Sequence, residues 1–166
     1  MSDENKRYPL SGLTGRDNYF EHFTVGDAYE HARGRTITEM DNVLITLQVM
    51  NTAQGHFNEH RMAQSPFRQR INFGGITASF IVGLASEDTA EQALMELGLN
   101  KIRFSNPVFH GDTLYAFSEV LKKEDCDRDD AGIVTFRHLG INQDRVVVFS
   151  GERRVMIKRH SHWGAR

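Results

Sequence analysis

The spacing of apolar positions divides the chain into a helical first half and a strand-rich second half. Five apolar residues recur at the spacing of one helix face: Met40, Val43, Leu44, Leu47 and Met50. Thr38 stands before them with an acidic residue, Asp41, three positions later, the pattern of a capping box at a helix start. We therefore predict a helix that begins after Thr38 and runs to about Met50.

A second helix is predicted from Gly74 to about Ser86, where nearly every residue is apolar or small. A helix that is apolar all round has to be covered on every side, so we expect other elements to wrap it. Between the two helices, residues 57–72 are polar, contain Pro66 and follow no sustained period, which favours a loop that lines a pocket. A short helical turn from Thr89 to Leu97 is predicted next, with Gly98 at its end.

The rest of the chain has the residue pattern of strands separated by turns. Strands are predicted at residues 101–104, 113–122, 132–142 and 146–158, and one earlier edge strand at 28–36. Short turn sequences separate the later strands, which is typical of an antiparallel meander. One buried helix followed by a long antiparallel sheet predicts an α+β domain in which the sheet curls round that helix.

Composition limits the class of protein. The chain has 166 residues, of which 39% are hydrophobic and 25% charged, enough for one sizeable core. We expect a flexible N-terminal arm (1–15), a single domain (16–158) and a basic C-terminal tail (159–166). The formal net charge is only −2, with no basic stripe, which argues against a nucleic-acid partner.

The cysteine count and the apolar runs bear on the location of the protein. The single cysteine, Cys126, lies in a charged run without a disulfide partner or a metal cluster, which predicts a reduced protein with no metal site. No apolar run approaches the ~20 residues of a membrane span, and the polar start lacks a signal-peptide core. We therefore expect a cytoplasmic protein with no membrane partner.

Two short segments carry the candidate chemistry. Asn51 and His56 lie five positions apart in the loop after the first helix. Gly74 and Gly75 open the apolar helix, where the first backbone N–H groups are free to point at a ligand. Each feature also has an ordinary structural explanation, since a loop histidine is commonly solvated and a glycine pair permits close packing of a helix on a strand.

The residues that open the apolar helix and the later Asn-Pro-Val-Phe-His-Gly-Asp stretch resemble a known family. The segments 71–84 and 103–114, with the placement of His56, are similar to MaoC-like hot-dog-fold enoyl-CoA hydratases and dehydratases over about residues 17–158. The Asn51-Thr52 start is most similar to the subgroup that acts on mesaconyl- or itaconyl-CoA. The resemblance implies a hot-dog fold, a long antiparallel sheet wrapped around a central apolar helix.

The resemblance also implies roles for four residues. His56 takes the place of the family's base, and Asn51 the place of its aspartate, so the usual carboxylate is an amide here. Gly74 takes the place of the residue whose N–H binds the thioester oxygen. Ser79 matches a serine beside the catalytic water, although a serine there also commonly bonds back to a helix carbonyl.

The substrate that these roles imply is an enoyl thioester of coenzyme A or of a carrier protein. Lys101 and Arg103 are candidates to contact the phosphates of coenzyme A, or else are exposed charges of an edge strand. No cofactor is expected beyond coenzyme A as part of the substrate.

Three functions remain open from the sequence. The first is a hydratase or dehydratase acting on an enoyl thioester, with His56 as base and the Gly74 N–H as oxyanion donor. The second is a degenerate hot-dog module that binds acyl thioesters or supports a partner subunit. A thioesterase is a weaker third, because no carboxylate stands at the helix entry. Exposed sheet edges also predict a homodimer or a higher homo-oligomer.

Overall fold

A five-stranded antiparallel sheet packed against one long helix forms the body of the protein. The structure is a computed structural model that describes residues 9–12 and 18–164. The strands are β1 (Ala28–Thr36), β2 (Ala93–Phe104), β3 (Thr113–Asp125), β4 (Ala131–Ile141) and β5 (Val147–Lys158). The helices are α1 (Glu39–Gln48), α2 (Glu59–Met62), α3 (Gly74–Thr89) and α4 (His160–Trp163). The strand order is β1-β3-β4-β5-β2, so the predicted meander is confirmed for β3 to β5, with β1 and β2 at the edges.

The inner face of the sheet packs against α3. Ile81 of α3 is fully buried in a cluster with Leu114 of β3 and Phe149 of β5. At Gly140 of β4, a Cβ atom would lie 2.6 Å from the Ile81 side chain, so only glycine allows the helix to approach so closely. The entry to α3 lies beside the segment that joins β2 to β3, because the Asn72 N–H donates to the Val108 carbonyl at 2.7 Å. None of the described helices has both the length and the apolarity needed to cross a bilayer.

The expectation that α3 is covered on every side is wrong for this chain. Ser79, Gly83 and Glu87 form an exposed stripe along the helix, while Ile76, Ile81 and other residues face the sheet. The sheet lies on one side of the helix, so this stripe on the other side stays in contact with solvent.

Helix α1 forms where the sequence predicts it, but with an unexpected orientation. Thr38 caps the helix, since its hydroxyl accepts from the Asp41 N–H and the Asp41 carboxylate accepts from the Thr38 N–H. Most of the predicted apolar face is exposed: Met40 by 73%, Leu44 by 50%, Leu47 by 56% and Met50 by 85%. The face turned inward carries Asn42 and Thr46, both fully buried. Hydrogen bonds therefore hold α1 on the body of the protein.

The predicted helical turn from Thr89 to Leu97 is wrong. Helix α3 continues to Thr89, and the chain enters strand β2 at Ala93. Strand β2 pairs with β5 through the register Met95 to Met156 and Glu96 to Val155, with three register shifts along its length. Pairing along a whole strand outweighs the local helical preference of this segment.

The chain termini contact the sheet at two places. The Ser11 N–H donates to the Glu30 carbonyl of β1, and the Glu30 N–H donates to the Pro9 carbonyl. Residues 1–8 and 13–15 of the expected arm lie outside the described residues, as do residues 16 and 17. In the basic tail, the indole N–H of Trp163 donates to the Asp130 carbonyl at 3.2 Å. Residues 165 and 166 also lie outside the described part of the chain.

A row of hydrogen-bonded polar side chains crosses the core near the C-terminus of α3. His31 Nδ1 lies 2.6 Å from Asp88 Oδ2, His31 Nε2 lies 2.6 Å from Ser118 Oγ, and Ser118 Oγ lies 2.7 Å from His138 Nδ1. The order Asp, His, Ser is that of a hydrolytic triad. Ser118 and His31 are each 2% exposed, however, so no substrate reaches the serine oxygen. These residues therefore have a structural role in the core of the protein.

Two histidines, His138 of this row and His110 elsewhere in the fold, make the stability of the protein depend on pH. Burial, with added repulsion from Arg153 and His31, holds the pKa of His138 well below its ordinary value, and burial followed by Arg70 lowers the pKa of His110. The unfolded chain therefore binds more protons than the folded one as pH falls below about 6.5, the ordinary histidine value. We expect the free energy of unfolding to be greatest above that pH and to decrease as pH falls through it.

Urea unfolding at neutral pH and at mildly acidic pH measures this dependence. The variant His138→Gln removes the titrating group and keeps a polar side chain, so its loss of stability between the two pH values should be smaller than that of the wild type. An identical pH dependence in both proteins would contradict the assignment to His138.

Candidate active site

A cavity of about 350 Å³ lies at the N-terminus of α3. It is enclosed by the loop after α1, the segment that enters α3, and the segment between β2 and β3. Its lining includes His56, Phe67, Asn72, Gly74, Phe104 and Val108. The sequence prediction that residues 57–72 line a pocket is confirmed, because three residues of that segment are among the lining residues. The cavity brings together two of the predicted site residues, His56 and Gly74.

A backbone carbonyl selects one tautomer of the neutral His56 ring. It ends a short 3₁₀ turn, Gln54–His56, and its Nδ1 lies 3.0 Å from the Ile71 carbonyl oxygen. A carbonyl can only accept, so Nδ1 carries the proton of the neutral ring and Nε2 is left as the acceptor. The ring also packs against Phe73, with 5.5 Å between the ring centroids. The imidazole therefore has a fixed orientation, and among the described residues its basic nitrogen has no hydrogen-bond partner.

Gly74 supplies a backbone donor to the same cavity. It is the first residue of α3, and Phe73 before it is the extended N-cap residue. The N–H of the first helical residue has no carbonyl of a preceding helical turn to bind. The positive end of the helix dipole adds to its attraction for a developing negative charge. The structure thus places an acceptor nitrogen and an anion-binding donor in one cavity.

Asn72 and Thr77 add polar groups that the sequence did not single out. The Asn72 amide nitrogen donates to Thr77 Oγ1 at 2.9 Å. Asn72 is 6% exposed, and among the described residues its amide oxygen has no hydrogen-bond partner. A buried acceptor without a partner destabilises the fold by about 1–3 kcal/mol, so a ligand group that donates a hydrogen bond to this oxygen would bind favourably.

Asn51 and Ser79 do not line the cavity. The Asn51 amide oxygen accepts from the Ala53 N–H at 3.0 Å, which shapes the turn after α1. Ser79 is exposed, and its hydroxyl donates to the Gly75 carbonyl at 2.8 Å. This hydrogen bond to the preceding helical turn is the alternative role that the sequence analysis gave for Ser79. Catalytic roles for these two residues stay predictions.

The two candidate phosphate ligands lie on the edge strand β2. Lys101 forms an ion pair with Glu152, with 2.9 Å between Nζ and Oε1. Arg103 is exposed, and its guanidinium donates to the Ile102 carbonyl at 3.3 Å. Arg103 immediately precedes Phe104 of the cavity wall, so a ligand that extends from the cavity past β2 would pass close to it.

The charged side chains behind the cavity are paired. Arg70 binds Glu39 of α1 and Glu59 of α2, which ties these helices together on either side of the His56 loop. His110 lies 2.9 Å, through Nε2, from the Asn42 amide nitrogen. Since burial and Arg70 lower the pKa of His110, it is neutral and accepts this hydrogen bond near neutral pH.

Comparisons with known proteins show which proteins this chain is similar to. A family model described as mesaconyl-CoA hydratase matches residues 13–159. The mesaconyl-CoA hydratase of Haloarcula marismortui is 38% identical over 178 residues, covering 96% of this chain and 47% of that protein. The chain therefore spans about half the length of this relative.

Solved structures confirm the hot-dog fold that the resemblance implies. A putative MaoC domain protein dehydratase from Chloroflexus aurantiacus has a TM-score of 0.78 and 29% identity, covering 96% of this chain and 49% of that one. A conserved hypothetical protein from Mycobacterium tuberculosis, described as having a double hotdog fold, has a TM-score of 0.78 at 19% identity. The alignment covers 87% of this chain and 45% of the mycobacterial one.

Proposed function

Because the chain belongs to the mesaconyl-CoA hydratase family, we propose that it adds water across the α,β double bond of an enoyl-CoA thioester, or removes it. The observation that carries this proposal is the shared cavity of His56, whose basic nitrogen is free, and Gly74, whose N–H opens α3. Mesaconyl-CoA is the substrate to test first, since it is in the name of the matching family.

His56 and Gly74 divide the chemistry of hydration between them. His56 Nε2 takes a proton from a water molecule while the water oxygen bonds to the β-carbon of the substrate. The electron pair of the double bond moves onto the thioester oxygen as an enolate, which the Gly74 N–H stabilises. The protonated His56 then returns its proton to the α-carbon, so water is added in full and the enzyme is regenerated. Dehydration is the reverse sequence.

The cavity walls suit an acyl chain next to a polar reaction centre. Phe67, Phe104 and Val108 provide apolar surface, whereas Asn72 and Thr77 lie at the polar end. Lys101 and Arg103 are proposed to attract the phosphates of coenzyme A outside the cavity. Incubation of the purified protein with mesaconyl-CoA and a linear enoyl-CoA, followed by mass spectrometry for a product one water heavier, tests the proposal. No product from either substrate would contradict it.

Asn51→Ala is expected to lower kcat by no more than about three- to tenfold, which is the effect on rate of losing one orienting hydrogen bond. The Asn51 amide oxygen is engaged with the Ala53 N–H, so this side chain shapes the loop that carries His56. Steady-state kinetics of the variant measures the effect. A loss as large as that of a His56 variant would contradict a supporting role.

Asn51→Asp keeps the shape of the side chain and adds a negative charge five residues before His56 in the same loop. A negative charge favours a protonated imidazole, so we expect the acid limb of the pH–rate profile of this variant to move to higher pH. If instead the wild type is inactive and Asn51→Asp is active, the wild type lacks catalysis because it lacks the carboxylate. That result would favour the alternative function, a hot-dog module that binds acyl thioesters without converting them.

We also propose that two copies of the chain associate. Apolar side chains are exposed on α1 and along the edge strand β2, where Met95 is 56% and Phe104 53% exposed. The chain aligns with 45% of a protein described as a double hotdog, so a second copy would supply a second unit. An unpaired strand edge favours association through further pairing.

Light scattering is expected to give at least twice the chain mass of 18.9 kDa. Met95→Glu should shift the mass towards the monomer, because it places a charge at the proposed contact. Val25→Glu is the matched control, since Val25 is also 56% exposed but lies away from β2. A wild-type mass of one chain at micromolar concentration would contradict association.

A further inference from the structure

Asn42 is a polar residue on the buried face of α1, whose apolar face is exposed. Its side chain is fully enclosed, yet it does not line the cavity. A buried amide is tolerated when its hydrogen bonds are satisfied, so its partners reveal what it holds in place.

The partners of Asn42 fix the orientation of its amide. The amide nitrogen, which also lies 2.9 Å from His110 Nε2, makes two contacts with the backbone: 2.7 Å to the His56 carbonyl oxygen and 3.3 Å to the Ile71 carbonyl oxygen. The two N–H bonds of the amide are shared among these three acceptors. The amide oxygen accepts from the Phe73 N–H at 2.9 Å. Carbonyls can only accept and a backbone N–H can only donate, so a flipped amide would lose all three backbone contacts.

Each of these contacts reaches a part of the candidate site. One holds the backbone of His56 itself. The second holds the Ile71 carbonyl, which also accepts the His56 Nδ1 proton and so selects the tautomer. The third holds Phe73, the N-cap residue directly before Gly74. One side chain thus connects the base to the oxyanion donor.

We propose that Asn42 is the positioning residue of the active site, which fixes the His56 tautomer and the placement of His56 relative to the Gly74 N–H. This inference rests on the proposed hydratase function and goes beyond it, because Asn42 itself touches no substrate. A residue that acts through placement changes the rate of the chemical step and leaves substrate binding nearly unchanged.

Asn42→Ala is expected to lower kcat about 10²-fold, the effect of a misplacement of about 1 Å, with KM changed only slightly. Nitrogen NMR of the His56 ring should show mainly the Nδ1–H form in the wild type and a mixture of both tautomers in the variant. Asn42→Asp keeps the shape and the acceptor for Phe73 but loses the amide donors, so it should show the same mixture.

Thr46→Val is the matched control for the loss of a buried polar group. Thr46 is fully buried one turn further along α1, and its hydroxyl lies 3.5 Å from the Asn42 amide oxygen. We expect wild-type kcat and an unchanged His56 tautomer in this variant. If Thr46→Val lowers kcat as much as Asn42→Ala does, or if the tautomer is unchanged in Asn42→Ala, Asn42 is only structural.

Hydrogen exchange of the wild type tests the inference without any substitution. The N–H of an N-cap residue ordinarily exchanges quickly, whereas the Phe73 N–H bound to Asn42 should be protected, and the neighbouring Gly74 N–H should not. Equal, rapid exchange of both amides would overturn the proposal even if the Asn42 variants fail to fold. A wild type without activity would refute the hydratase function, while the tautomer and exchange results would still decide the role of Asn42.

Discussion

Replacing His56 with alanine is expected to abolish measurable hydration of an enoyl-CoA, with a fall in kcat of at least about 10²–10⁴-fold, the usual contribution of a positioned general base. His56 is the histidine that lines the cavity at the start of α3, and its Nδ1 contact leaves Nε2 free to take a proton.

The same substitution should cost little stability. The side chain makes one hydrogen bond, to the Ile71 carbonyl, which contributes about 0.5–1.5 kcal/mol. The backbone carbonyl of residue 56, which accepts from Asn42, remains in the alanine variant. Thermal melting of both proteins checks this expectation, and a variant that unfolds would favour a structural role for His56.

His60→Ala is the matched control for His56→Ala. His60 lies four residues further along, is exposed on α2 and does not line the cavity. Its loss should leave kcat and KM unchanged. Wild-type activity in His56→Ala, or an equal loss in both variants, would show that His56 is not the base.

Removing the N–H of Gly74 is the second change with a large expected effect. Proline has no N–H, and it is favoured at the first position of a helix, where that group is not needed for helix bonding. Phe73 has the extended conformation that a residue before proline requires, with φ −64° and ψ 128°. Gly74→Pro should therefore delete the oxyanion donor without breaking α3.

Gly74→Ala separates the effect of the N–H from that of the added side chain. A Cβ at this position would lie 3.2 Å from the Phe104 ring, which is 53% exposed and has room to move. We expect Gly74→Pro to have a kcat about 10²–10³-fold below that of Gly74→Ala, the cost of one oxyanion donor. Equal kcat values in the two variants would contradict the role of this N–H.

The long elements of the fold could be predicted because local pattern and tertiary packing agree there. Strand β1 has the predicted bounds, and β3 to β5 differ from theirs by a few residues at most. Helix α1 was predicted from its Thr38 cap, and the structure contains both hydrogen bonds of the capping box. In these segments the local preference and the final environment favour the same structure.

The start of β2 and the orientation of α1 could not be predicted from local pattern. Residues 93–97 have helical preference, but a strand partner in β5 decides their structure. The apolar face of α1 is visible in the sequence, whereas the buried hydrogen bonds that turn Asn42 inward come from residues far along the chain. An asparagine inside a helix, where its propensity is poor, was the available signal.

One part of the candidate site could be predicted from short sequence motifs, and the other part could not. His56 and Gly74 belong to short motifs, and the structure places both in one cavity. Asn42 lies outside those motifs, and Asn72 belongs to the segment 71–84 but was given no role. The importance of both residues comes from burial and from contacts that depend on the fold. Asn51 and Ser79 match family positions, but each side chain is bound to a nearby backbone group here.

A crystal structure with a bound saturated acyl-CoA tests the central claim most directly, since such a thioester has no double bond to hydrate. We expect the thioester oxygen to lie about 2.7–3.1 Å from the Gly74 nitrogen, hydrogen-bonded to its N–H. The β-carbon should face His56 Nε2 with room for one water molecule between them. A thioester bound away from the α3 N-terminus, or a β-carbon out of reach of His56, would contradict the account.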